Sequence, residues 1–205
     1  MTEISFGRDK YGFWKQNNPL PIDYSIEYKK KQSTTIEMSW LRIGWFLSVL
    51  DGSMKQLENW KVCDLGSGNG NFARVASNVF GSVKEYDLSG NTITVEELYS
   101  TEWDLIVLSD VLEHFDDIDD LFKIKFNYLL LSFPETPAVN DWQELVGWRH
   151  FKPNEHIYNL DMAGCKKWLS GSGYEVLRAG YMEDVIRKSD RQYNISSIVA
   201  KKNIS

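Results

Sequence analysis

The stretch Lys61-Val62-Cys63-Asp64-Leu65-Gly66-Ser67-Gly68-Asn69-Gly70-Asn71-Phe72-Ala73 constrains the fold more than any other part of the chain. Val62 to Leu65 is a short apolar run of strand type, and Phe72 to Val79 carries the apolar spacing of an amphipathic helix. Gly66, Gly68 and Gly70 must therefore reverse the backbone between them. Glycine takes positive φ at low cost and has no Cβ, so a ligand can lie directly against main chain. The helix start beyond it offers unpaired N–H groups and a partial positive charge. This is a nucleotide-type binding turn.

Spacing narrows the ligand. A dinucleotide fingerprint, G-x-G-x-x-G, would put its third glycine where the chain has Asn71, and a phosphate loop needs Gly-Lys followed by Ser or Thr, a run that does not occur. Asp-Leu-Gly-Ser-Gly-Asn-Gly instead resembles motif I of the class I S-adenosylmethionine (SAM) methyltransferases. The resemblance implies that Asp64 and the loop Gly66, Ser67, Gly68, Asn69 and Gly70 hold the methionine part of SAM, with Phe72 among the cofactor contacts. Glycine turns also arise for purely structural reasons; strand, acid, three glycines and helix in succession favour the cofactor.

The 205 residues are enough for one domain with a full core and short for two. A hydrophobic share of 42% with 25% charged residues makes an ordered fold the expectation. The formal net charge of -6 argues against nucleic acid as the main partner, because phosphate binding needs clustered Lys and Arg. Cys63 and Cys165 lack a C-x-x-C neighbour, which fits reduced thiols in the cytoplasm. Thr2 to Lys10 is polar, without the apolar run of a signal peptide, and Trp40 to Leu50, broken by Arg42, Gly44 and Ser48, is too short for a bilayer core of roughly 30 Å. A cytoplasmic protein that does not contact membrane is expected; oligomeric state has no signature here.

Residues 1–32 read as an irregular arm that packs through Phe6, Tyr11, Phe13, Trp14, Tyr24 and Tyr28, with Lys29-Lys30-Lys31 near its end. Thr34-Thr35-Ile36-Glu37 reads as a capping box with Thr34 as the cap, opening an apolar helix to about Leu50 that partly roofs the cofactor. Residues 1–58 thus form arm and lid, and 59–205 the core, of a single domain. Val83 to Ser89 is a strand ending in Asp87, which stands 21 positions after Gly66, close to the ~20 at which Rossmann-type folds place an acid on the ribose hydroxyls. Leu88 is grouped with it as a cofactor contact. Only Gly90 to Glu102 separates this strand from the next, Trp103 to Ser109, so the helix and strand usual in the family are expected to be replaced by a short element near Thr92 to Leu98, with Glu96 and Glu97 the candidates for the adenine-capping acid.

Ser109-Asp110-Val111-Leu112-Glu113-His114-Phe115 closely resembles the motif of the Asp-Val-Leu-Glu-His methyltransferases, which implies that Ser109, Asp110 and Val111 also touch the cofactor. A helix from about Ile118 to Phe126, a buried strand Asn127 to Phe133, a helix Asp161 to Ser170 and an antiparallel pair, Tyr174 to Met182 with Tyr193 to Lys201, complete the chain. The expected fold is α/β: a Rossmann-like class I methyltransferase fold, with a mostly parallel sheet, an antiparallel edge strand and an N-terminal helical lid.

All three histidines, His114, His150 and His156, fall in segments that follow strand ends, where ligands sit in open α/β sheets. Trp148 to Tyr158, together with Thr35-x-x-Met38-Ser39-x-Leu41-Arg42-x-Gly44, resembles an often phage-encoded group of methyltransferases. Methyl transfer from a sulfonium is an in-line displacement, and a hydroxyl acceptor must also lose a proton. A neutral histidine suits that task, so His114, His150 or His156 is the candidate base, with Lys152, Glu155 and Arg42 as acceptor contacts. The same histidines also fit hydrogen-bonded scaffolding. If residues 110 to 114 open a helix, Asp110, Glu113 and His114 share a face and, with His156, could hold a divalent metal; metal-free transfer is the favoured reading. Transfer to a small-molecule oxygen, a sugar or other metabolite, is the expected activity, with nitrogen acceptors open. The alternative is a SAM-binding or interaction protein that has lost catalysis.

Overall fold

The computed structural model describes residues 4–22, 34–50, 53–88, 91–187 and 194–203. Tyr24, Tyr28 and Lys29 to Lys31 of the arm, and Ser89 and Tyr193 at strand ends, lie outside the described residues.

The arm is ordered where it is described. Strand β1 (Ser5–Arg8) pairs antiparallel with β2 (Trp14–Asn17). The turn between them is closed by Asp9, whose carboxylate accepts the N–H groups of Tyr11, Gly12 and Phe13, with Gly12 at φ 101°. For the described part of the arm the expectation of irregular structure is therefore corrected: an aspartate-centred turn makes a hairpin.

Helix α1 (Ile36–Leu47) is capped by Thr35, not Thr34: Thr35 is extended (φ -92°, ψ 166°) and its hydroxyl accepts from Met38 N at 3.2 Å. A 3₁₀ segment, Ser53–Asn59, leads to β3 (Lys61–Leu65), α2 (Asn71–Ala76) and β4 (Ser82–Tyr86). Between β4 and β5 (Glu102–Ser109) the described residues form one short helix, α3 (Val95–Ser100), in place of the helix and strand usual there, and β4 is an edge of the sheet. Ile118–Lys123 is 3₁₀, shorter than the helix expected there, and β6 (Lys125–Pro134) starts two residues early. Strand β7 (Tyr158–Asn159), α4 (Met162–Gly171), β8 (Tyr174–Gly180), α5 (Asp184–Arg187) and β9 (Ile195–Lys202) follow.

The main sheet has the order β4-β3-β5-β6-β9-β8; its first four strands are parallel, and β9 inserts antiparallel between β6 and the edge strand β8. Alternate strand residues face opposite layers. Cys63, Ile106, Leu108, Leu129 and Leu131 pack with Trp168 and Leu169 of α4 on one face, while Val62, Leu105, Val107 and Leu130 pack with Ile43 and Phe46 of α1 and Phe72 and Val75 of α2 on the other. Burial on both faces is why these strands read as unbroken apolar runs. β2 also pairs with β7, which makes a second, three-stranded sheet near the exits of the parallel strands. Among the described residues no helix is long and apolar enough to cross a membrane.

Candidate functional site

The segments leaving β3, β4, β5 and β6 are stitched into one rim. Gly66 N–H donates to Tyr86 O at 2.7 Å, Asp110 N–H to Ser132 O at 2.9 Å and Thr136 N–H to Leu160 O at 2.8 Å. In the glycine loop Gly66, Gly68 and Gly70 have φ of 77°, 57° and 72°, the left-handed region. A Cβ on Gly66 would stand 2.3 Å from Val111 Cγ2, and one on Gly70 2.7 Å from Glu85 Oε1. Gly68 N–H donates to Asp87 Oδ2 at 3.0 Å, so the loop and the acid expected on the ribose share a rim. The side-chain amides of Asn69 and Asn71 both donate to Thr34 O, at 2.9 and 2.8 Å, which ties the start of α1 to the loop.

Asp64 and Ser67 are buried beside this turn. Burial pushes the Asp64 carboxyl up to about 7, opposed by the Arg42 guanidinium, and its Oδ2 has no hydrogen-bond partner. The Phe72 side chain belongs to the core between α1 and α2, whereas Leu88, next to Asp87, is exposed. Glu96 and Glu97 are exposed on α3.

After β5 the chain does not enter a regular helix. Asp110 has φ 56°, the Val111 side chain lies over Gly66, and Leu112–His114 is one 3₁₀ turn. The face that a helix would have given Asp110, Glu113 and His114 is not formed: Asp110 turns to Arg187, and its Oδ2 sits 2.7 Å from a nitrogen of that side chain. Although burial pushes the Asp110 carboxyl up, the Arg187 and Arg42 charges hold it below the usual carboxylate range. Arg187 also meets Glu183 at 2.7 Å, and Glu183 meets Arg42 Nε at 2.7 Å. Arg42, at 1% exposure, is thus locked in an ion pair under the rim. Glu183 and Arg187 carried no motif; their four-residue spacing after a strand end was their only trace.

Glu113 is buried with neither carboxyl oxygen hydrogen-bonded, and burial, with Asp110 nearby, raises it well above the carboxylate range. His114 Nδ1 lies 2.7 Å from Glu155 O; a carbonyl can only accept, so His114 carries its proton on Nδ1 and its lone pair on Nε2. The His114 and His156 rings meet edge to face, with centroids 4.9 Å apart. Ligand atoms of Glu113, His114 and His156 lie within 4.8 Å of one another, so three of the four residues considered for a metal converge and Asp110 does not. Burial lowers all three histidines: His114 below its usual value, His150 to about 4 with help from Arg149, and His156 to about 3 with help from His114. His150 Nε2, Ser109 Oγ and Thr136 Oγ1 are buried without partners. Exposed Lys152 pairs with Glu155 at 2.9 Å.

Comparison with known proteins agrees with this geometry. A family model described as a methyltransferase domain matches residues 39–179. The structure is similar to a SAM dependent methyltransferase from Archaeoglobus fulgidus (17% identity, covering 88% of this chain and 100% of that one, TM-score 0.57). It is similar also to a putative sarcosine dimethylglycine methyltransferase from Galdieria sulphuraria (13%, 86% and 91%, TM-score 0.56). A third is the magnesium protoporphyrin IX methyltransferase from Synechocystis with bound SAH (19%, 84% and 90%, TM-score 0.50). At these identities the likeness is one of fold. No curated protein sequence matches the chain.

Proposed function

The chain belongs to the methyltransferase domain family, and from that premise we propose that it moves the methyl group of SAM to an oxygen of a small-molecule acceptor, a sugar or other metabolite. The carrying observation is the left-handed glycine loop with Asp87 bonded to its middle N–H. In this reading Gly66 to Gly70 lie against the adenosyl and methionine parts of SAM, Asp64 faces its ammonium group, and Asp87 exchanges Gly68 for the ribose hydroxyls. Leu88, Ser109, Asp110 and Val111 complete the cofactor contacts.

The acceptor oxygen attacks the methyl carbon in line with the breaking C–S bond; sulfur keeps the bonding pair and the acceptor proton passes to a base. His114 suits that role best, because its Nδ1 proton is engaged by the Glu155 carbonyl and its lone pair is therefore on Nε2. His150 and His156, held at about 4 and about 3, would keep a transferred proton poorly. Lys152 and Glu155 line the acceptor side, and Arg42 acts from below, through Glu183, Arg187 and Asp110. The similar proteins are named for unlike acceptors, a porphyrin for one and sarcosine dimethylglycine for another, so fold does not choose between them.

Calorimetry with SAM and its demethylated product, followed by a labelled-methyl screen over metabolite pools, tests this reading. Saturable SAM binding and label on a hydroxylated acceptor are expected. Binding without turnover on any acceptor would overturn it in favour of a non-catalytic SAM binder.

One observation favours a metal as a second reading: the unpartnered Glu113 carboxyl beside His114 and His156. Against it, Asp110 is committed to Arg187, which leaves one carboxylate and two imidazoles and removes the fourth ligand of the expected set. Dialysis against a chelator is expected to leave the rate unchanged. A loss restored by Mn²⁺ or Zn²⁺ would install the metal reading instead.

A further inference from the structure

Gln16 lies in β2, outside the main sheet, yet it is 3% exposed and bonds through its main-chain N–H and both ends of its side-chain amide. Its main-chain N–H donates to Ile157 O at 2.8 Å. Its side-chain Nε2 donates to Asn154 Oδ1 at 2.9 Å, and its Oε1 accepts the main-chain N–H of Asn154 at 2.6 Å. Asn154 Oδ1 also accepts from Leu20 N at 2.9 Å. The two amides clasp one another, and the residue so held is at φ 72°.

Asparagine enters the left-handed region more readily than other non-glycine residues, but it also populates right-handed and extended backbone, so something must select the observed state. Here the clasp does that, and the next peptide shows the effect. Glu155 O is aimed at His114 Nδ1 at 2.7 Å, and the N–H groups of Glu155 and His156 both donate to Lys152 O, at 3.0 and 2.8 Å. The direction of the Glu155 carbonyl therefore decides which nitrogen of His114 is protonated.

We propose that Gln16 is a positioning residue of the site: acting through Asn154, it holds the Glu155 carbonyl on His114 and so keeps the lone pair of His114 on Nε2. The inference rests on the reading of His114 as a site histidine only where turnover is concerned; the tautomer itself is a property of the protein alone. Were the clasp released, Asn154 would no longer be confined to the left-handed region, the carbonyl would lose its fixed aim, and the Nδ1–H tautomer of His114 would lose the support that the carbonyl gives it.

Long-range ¹H–¹⁵N correlation spectra of histidine-labelled full-length protein, at a pH where the imidazoles are neutral, read the tautomer directly. In the unmodified protein His114 is expected to show a protonated Nδ1 and an unprotonated Nε2. Gln16→Leu and Asn154→Ala are expected to lose that asymmetry. Asn154→Gly is expected to keep it, because glycine holds positive φ without the side-chain clasp. With an acceptor in hand, the first two should lower kcat by up to about 100-fold with the KM for SAM unchanged. Should Gln16→Leu not fold, the Asn154→Ala and Asn154→Gly pair decides. A full Nδ1–H asymmetry in folded Asn154→Ala would overturn the proposal. Tautomer loss without turnover on any acceptor would leave it standing and sink the transfer reading.

Discussion

Replacing Asp64 with asparagine is expected to stabilise the protein above pH 7 and to weaken its hold on SAM at the same time. The carboxyl is 4% exposed, its Oδ2 has no partner, and burial moves it from 3.8 to about 7. Between those two values the folded chain keeps a proton that the unfolded chain has shed, so stability falls as pH rises from about 4 to about 7 and is flat beyond. At ~1.4 kcal/mol for each pH unit of displacement the lost stability is about 4 kcal/mol. An asparagine escapes this penalty but buries an amide with at least one unmet hydrogen bond, worth about 1–3 kcal/mol, which leaves a net gain of about 1–3 kcal/mol at pH 8 and a net loss of about 1–3 kcal/mol at pH 4. Toward SAM the substitution removes a charge-assisted contact with the ammonium group, which predicts roughly 10- to 100-fold weaker binding. Urea melts at pH 4 and pH 8, with calorimetry on the same samples, check both halves. A variant less stable than the parent at pH 8, or one with unaltered SAM affinity, would show that Asp64 is an ordinary core residue.

What could be read in advance from the residues follows from how local each cause is. The strands β3, β5 and β6 announce themselves because both their faces are buried, and the glycine loop because three left-handed residues within five positions admit little else. The hairpin β1–β2 hid because each strand is four residues long, too few for alternation to register, and because its turn depends on one carboxylate collecting three N–H groups. The cap of α1 moved by one residue because two threonines stand together and the loop amides take the Thr34 carbonyl.

The site was less legible than the fold for a related reason. Arg42 reads as a polar intrusion in an apolar helix; that it is buried follows from Glu183, 141 positions away, which nothing near Arg42 can signal. Spacing places Asp110 on a face with Glu113 and His114 only if a helix opens there; at the end of β5 Asp110 has φ 56° instead and meets Arg187. The meeting of His114 with His156 could be anticipated, since both follow strands that end on one rim. The clasp that sets the angle of that meeting spans Gln16 and Asn154, a separation of 138 positions.

Gly66→Ala is expected to cost about 2–5 kcal/mol of stability and to abolish SAM binding. The first part is conformational: φ is 77°, where an L-residue loses about 1–2 kcal/mol. The second part is steric. The new methyl would stand 2.3 and 2.9 Å from the two γ carbons of Val111 and 3.2 Å from its Cβ, and a β-branched side chain has little freedom at χ1 with which to withdraw, so overpacking adds about 1–3 kcal/mol. Gly70→Ala provides the contrast. It shares the positive φ, but the atom in its way is the far end of the Glu85 side chain, which can rotate aside, so only the conformational part should remain. The two parts separate in the double variant Gly66→Ala/Val111→Ala: relief of the clash should recover about 1–3 kcal/mol of the loss while the strain of the left-handed backbone stays. Thermal and urea melts of the four proteins test the division. If the double variant is no more stable than Gly66→Ala, then Val111 is not what holds the loop against β5, and the close approach of the two segments needs another cause.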